Sequence, residues 1–216
     1  MRFRILVLAL GTFAIGTDGL VIAGILPAMA HDLRISVDTA GLLVTGFAWI
    51  YALGSPVLAA VTGRVPRKQL LLSGLVVFLS ANILAALATN FWLLLAARVL
   101  AALGAALYTP VASTVASAMV PPEMRGRALA IVLAGMTVAT VMGVPLGIIV
   151  AAQFGWQMTF WVVAVLSIIA FIGVLALLPA VANPPAVGLK TRLAMLRDPV
   201  LVLMLLNATM WLIANF

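Results

Sequence analysis

Two residues of this chain carry charge inside long apolar runs: Asp18, in the stretch FAIGTDGLVIAG, and Arg98, in LLLAARVLAALG. A charge at the centre of a bilayer costs about 2.5–3.5 kcal/mol on insertion scales, so each must face a polar cavity or a partner. Taken as helices, the two runs put both charges at one depth. Asp18 lies thirteen residues beyond Ile5, about 20 Å from one edge of the apolar layer at 1.5 Å per residue. Arg98 lies seven residues beyond Phe91, about 10 Å from the other edge, which in a layer about 30 Å thick is the same level. Two chemistries fit: a structural pair that fixes helix packing, or a carboxyl group that gains and loses a proton as the cation approaches and withdraws. Ala101, Ala102 and Ala105 share the helical face of Arg98 and leave space there for a cavity or a close neighbour.

The elements that must position these residues are membrane spans. The chain is 66% hydrophobic and only 8% charged, with mean hydropathy +1.30, where soluble domains carry roughly a quarter charged residues. Backbone groups in hydrocarbon must be satisfied within their own segment, so the long apolar runs are helices, and the fold class is an all-α polytopic membrane protein. The runs predict spans over 5–29, 39–62, 69–88, 91–119, 123–153 and 157–178, with a seventh over 200–216. Arg2, Arg4 and Ala28-Met29-Ala30 imitate a secretory signal, but the run between them is too long, carries Asp18 and precedes several more spans, which favours an uncleaved first helix.

Charge sets the expected orientation. The amino terminus (Arg2, Arg4), the turn between spans two and three (Arg64, Arg67, Lys68), the loop between four and five (Arg125, Arg127) and the segment after span six (Lys190, Arg192, Arg197) hold ten of the twelve basic residues. The opposite side has only Arg34, beside Asp32 and Asp38. Basic residues accumulate in short cytoplasmic loops, so the amino terminus is expected in the cytoplasm of a multi-pass protein of the inner (plasma) membrane. Trp92 and Trp156 then fall at the outer interface, and Trp49, about 15 Å deeper, is a candidate pocket residue together with Thr137. The net charge of +7 is spread over separate loops and makes no nucleic-acid face.

Helix 5 of this reading carries Gly135, Gly143, Pro145 and Gly147, a small-residue face that permits close helix approach, with a proline that bends the helix. It reads either as ordinary tight packing or as a flexible seam against another unit. Asn183-Pro184-Pro185 ends span six, after which Leu189, Leu193 and Leu196 share one side of a short amphipathic segment. This divides the chain into a six-helix bundle over 1–179, a cytoplasmic linker over 180–198, and a seventh span over 199–216. No metal-ligand cluster, phosphate-binding glycine loop or nucleophile–base set appears, so the sequence points to no enzyme, metal or cofactor.

The turn residues Arg64, Arg67 and Lys68 stand in the basic places of a pattern Gly-x-x-x-Asp-Arg-x-Gly-Arg-Arg/Lys, with Ala59, Gly63 and Pro66 in place of its Gly, Asp and Gly. That pattern resembles the signature loop of the major facilitator superfamily. Gly16-Thr17-Asp18, the run from Val21 to Pro27, Ala30-His31-Asp32-Leu33 and the run from Ala40 to Thr45 resemble the superfamily's bacterial drug:proton antiporter branch, which includes chloramphenicol-resistance and arabinose-efflux-like exporters. Arg98 matches the helix-4 arginine of that branch, and Gly143-Val-Pro-Leu-Gly147 is similar to its helix-5 motif. Gly19 replaces a frequent Glu, and Ala101 and Ala102 replace Gln and Gly.

The resemblance implies two six-helix halves joined across the cytoplasm, of which this chain is the first plus helix 7, so that a missing carboxy-terminal half is needed for a complete transporter. It implies proton-coupled efflux of small apolar or cationic molecules by alternating access. Asp18 and Arg98 would couple protons, Arg64, Arg67 and Lys68 would form a cytoplasmic gate loop, and Gly135, Gly143, Pro145 and Gly147 would act as a hinge. A facilitator or importer of the same fold, or a truncated half-transporter without activity of its own, are the alternatives.

Overall fold

The computed structural model describes residues 2–179 and, beyond them, Leu203, Met204, Leu206, Asn207 and Met210, which are helical. The linker expected over 180–198, and the seventh span as a continuous element, lie outside the described residues. Among the described residues six helical segments are long and apolar enough to cross a membrane, and no end of these differs from its expected position by more than three residues. They are α1 (Arg2–Asp32), α2 (Val37–Val61), α3 (Arg67–Ala86), α4 (Phe91–Ala118), a fifth span made of several pieces, and α7 (Trp156–Leu177).

Local sequence explains where they start and stop. Ser36 caps α2 by accepting the Thr39 N–H at 3.0 Å, and Asn90 caps α4 by accepting the Leu93 N–H at 2.9 Å. Pro66 stands immediately before α3, where a missing N–H costs nothing. Gly155, between the fifth span and α7, has φ +87°, a left-handed value that glycine adopts without a Cβ penalty.

The fifth span is not one continuous α-helix. A 3₁₀ turn (Pro122–Met124) leads into α5 (Arg125–Val138), then a π turn (Ala139–Gly143), then α6 (Val144–Phe154). Pro145 has no N–H to offer the carbonyl of Val141 four residues back. The helix widens just before it, and the Val144 N–H bonds to Ala139 O, five residues back. The bend expected at Pro145 is therefore taken up as a widened turn in the preceding residues.

α1 is the hub. It packs against α2, α4, α7 and all parts of the fifth span from α5 to α6, while α4 packs against α2 and α3, and α3 against α7. The glycine face of the fifth span is used here: Gly135 lies on Ala9 and Thr12, Gly143 on Thr17, and Gly147 on Val21 and Thr159. These α1 contacts recur about every four residues, the spacing of one helical stripe. The glycines are thus covered from within the bundle. Val138, Val141, Leu146 and Ile149 of the same span are exposed.

Several hydroxyls inside the bundle donate to backbone carbonyls. Thr12 Oγ1 donates to Val132 O at 2.6 Å, Tyr108 Oη to Leu8 O at 3.2 Å and Thr159 Oγ1 to Gly147 O at 3.1 Å. α2 is the least covered span, with Leu42, Trp49, Leu53 and Val57 exposed, an apolar surface suited to hydrocarbon.

α3 and α4 also approach closely at a glycine. A Cβ on Gly104 would stand 2.7 Å from Phe78 N and 2.8 Å from Gly74 O, backbone atoms that cannot swing away. Gly104→Val is expected to lower stability by about 1–3 kcal/mol through overpacking, read as a fall in the thermal midpoint. Gly41→Ala, where a Cβ meets nothing within 4 Å, should leave the midpoint unchanged or raised.

Candidate functional site

Asp18, midway along α1, and Arg98, two turns into α4, meet in the buried interior. Arg98 Nη1 donates to Asp18 Oδ2 at 2.7 Å, and the side chains are 1% and 0% exposed. The equal depth read from helix rise thus becomes a direct ion pair. Ala101, Ala102 and Ala105 are all buried, so the small face beside Arg98 receives neighbouring helices and not a cavity.

The pair is single-pronged, although arginine and carboxylate often meet through two parallel hydrogen bonds. Among the described residues Asp18 Oδ1, Arg98 Nε and Arg98 Nη2 make no hydrogen bond, nor does the neighbouring Thr17 Oγ1. The guanidinium instead lies over the ring of Phe47 on α2, with Cζ 4.3 Å from the centroid. A cation on an aromatic face is worth about 2 kcal/mol when both are desolvated. A proton on Asp18 would weaken one charge-assisted hydrogen bond and leave the cation on its ring.

Beside it, α1, α2 and α5 enclose a cleft of about 300 Å³ lined by Ile15, Gly16, Gly19, Leu20, Val44, Phe47, Ala48, Tyr51 and Met136. No charged side chain stands on its wall. Phe47 and Tyr51, one turn apart on α2, have ring planes within 9° and centroids 6.1 Å apart. Neither aromatic was singled out in the sequence, although their i, i+4 spacing places them on one helix face.

The other expected site residues are elsewhere. Trp49 is 62% exposed on the outside of α2, and Thr137 is exposed on α5. Each adjoins a lining residue, Ala48 and Met136 respectively, but a step of one residue turns a helical side chain by about 100°, and neither lines the cleft. Trp156, expected in the outer interface, is 3% exposed and donates Nε1–H to Asp32 Oδ2 at 2.9 Å, tying the end of α1 to the start of α7, whereas Trp92 is exposed as expected. Of the basic turn, Lys68 Nζ donates to Leu175 O at 2.8 Å and Leu178 O at 2.6 Å, closing the carboxy-terminal end of α7. Arg64 is exposed and Arg67 half-buried.

Residues 8–216 match the family model of the Major Facilitator Superfamily. The chain belongs to that superfamily. It is 41% identical over 213 residues to a chloramphenicol resistance protein of Streptomyces lividans, covering 96% of this chain and 54% of that protein. It is 42% identical over 168 residues to YtbD, an uncharacterized MFS-type transporter of Bacillus subtilis, covering 78% of this chain and 42% of that protein. The chain therefore spans about half the length of the curated relatives it matches. Its fold is like that of a bacterial homologue of the human lysosomal transporter Spinster, solved in an inward-facing, unoccupied conformation. The TM-score is 0.74 at 22% identity, over 85% of this chain and 44% of that one.

In this Major Facilitator chain the pair's energetics are directly testable. Arg98→Met leaves Asp18 buried without its cation and is expected to cost about 3–5 kcal/mol, while the double variant Asp18→Leu with Arg98→Met should recover most of that loss. Thermal unfolding of the purified full-length protein measures both. Equal instability of single and double variants would mean the charges do not depend on each other.

Proposed function

We propose that the chain forms the amino-terminal half of a proton-coupled exporter of small apolar or cationic molecules, working by alternating access. The observation that carries this reading is the single-pronged Asp18–Arg98 pair, buried beside an uncharged cleft. A carboxylate held by one hydrogen bond can take up and release a proton while the guanidinium remains seated on Phe47. The similarity to a chloramphenicol resistance protein supports efflux as the direction.

In this reading Asp18 exchanges protons and Arg98 tunes that exchange. Residues 1–179 act as one bundle, 180–198 as the cytoplasmic linker, and 199–216 as the first span of a second bundle that completes the cavity. The π turn before Pro145 gives the fifth span a place to flex near Gly143 and Gly147, with Gly135 as the fixed contact below it. Arg64 and Arg67 hold the cytoplasmic side, and Lys68 anchors their turn to α7. The protein sits in the inner membrane, where each charge moved through 100 mV supplies about 2.3 kcal/mol.

Asp18→Asn in the full-length protein should reduce proton-driven efflux to the level of empty vesicles while the protein still inserts. Efflux that stays proton-dependent would overturn the role of Asp18. The orientation has its own test, made simple because the chain has no cysteine. Arg64→Cys should react with a membrane-impermeant maleimide only from the cytoplasmic side, and His31→Cys only from outside; the reverse pattern would invert the topology.

A further inference from the structure

The ion pair and the cleft share one side chain. The ring of Phe47 carries the Arg98 guanidinium on its face and also forms part of the cleft wall, beside Gly19 and Tyr51. Arg98 Nη1 donates to Asp18, while Nε and Nη2 donate to nothing among the described residues. Phe47 is therefore the second contact that holds the plane of the cation. Tyr51 continues the surface, its ring nearly parallel to that of Phe47. At Gly19 the ring meets no side chain: a Cβ there would stand 3.6 Å from Phe47 Cε1, in ordinary van der Waals contact. At about 300 Å³ the cleft is at the lower end of the range for small-molecule sites, and flat rings offset-stack favourably on aromatic walls.

We propose that the cleft binds a planar aromatic molecule on Phe47 and Tyr51, and that Phe47 conveys its presence to the Asp18–Arg98 pair. A ligand stacked on this surface repositions the Phe47 ring, the guanidinium resting on that ring follows, and its hold on Asp18 changes. Binding and protonation are then linked, each altering the other by the same factor. Phe47 is a positioning residue for the pair as well as a ligand contact. Few other groups compete for this role. α2 contributes only Tyr51 near the pair, and α4 contributes Tyr108, whose hydroxyl bonds Leu8 O on the amino-terminal side of Asp18. α3 and α7 carry no titratable side chain beyond their first turns, and the fifth span none beyond Arg127. The inference rests on the proton-exchange reading of Asp18.

The test is binding of ethidium, a planar aromatic probe, and of tetrabutylammonium, a non-planar one, to the purified full-length protein at pH 6 and pH 8. The native protein should bind ethidium with a Kd that differs at least fivefold between the two pH values. Phe47→Leu should weaken ethidium at least tenfold, lose that pH dependence and leave tetrabutylammonium unchanged, with Phe47→Tyr restoring ethidium binding. Native ethidium affinity or native pH dependence in Phe47→Leu overturns the proposal, as does equal weakening of both probes, which would mark a general loss of fold. Asp18→Asn separates the underlying reading. If ethidium binding stays pH-dependent in that variant, proton exchange at Asp18 fails, whereas discrimination between the probes by Phe47→Leu does not involve Asp18.

Discussion

Two opposite charges meet in a layer of the molecule where neither would be tolerated alone, and the arrangement of the bundle depends on that meeting. Asp18 and Arg98 must reach the same depth on different helices, which requires α1 and α4 to lie close enough for a 2.7 Å contact. Small residues along α4 allow this. Gly104 brings the backbone of α3 to within van der Waals reach, and Ala101, Ala102 and Ala105 let neighbouring helices close around the arginine. Desolvation makes the cost of error large, since losing one partner leaves an uncompensated buried charge.

Around this pair the ends of the bundle are fastened by polar contacts that differ from side to side. On one side Asp32 receives the indole N–H of Trp156, joining α1 to α7. On the other, Lys68 closes the last carbonyls of α7 from the start of α3. These clamps hold α1, α3 and α7 together as a block. The fifth span is attached differently, through glycines that lie on α1 and a π turn that breaks its regular hydrogen bonding. Two hydroxyl-to-carbonyl hydrogen bonds, Thr12 to Val132 and Thr159 to Gly147, fasten the span on either side of that widened turn.

The cleft between α1, α2 and α5 adds chemistry that neither charge supplies. Its wall is aromatic and aliphatic, and its link to the charges runs through the face of one phenylalanine. The chain belongs to the Major Facilitator Superfamily and spans about half the length of the curated relatives it matches.

Hydrophobic composition, span positions and the depth of Asp18 and Arg98 were all determined by the sequence alone. Each follows from a one-dimensional rule: apolar run length against bilayer thickness, or 1.5 Å of rise per residue. Within-helix chemistry was legible on the same basis, as in the proline effect near Pro145. What only the tertiary structure decided is which helix each face meets. The glycines of the fifth span could face α1 or another unit, and close packing chose α1. Trp49 and Thr137 were each one residue, and so about 100° of helix rotation, away from the cleft, while Phe47 was visible only as one apolar residue among many. Trp156 reads in the sequence only as an interface anchor, because its partner, Asp32, is more than a hundred residues away in the chain. Depth is a property of a single helix and can be counted, whereas facing is a property of pairs of helices and exists only once they have packed.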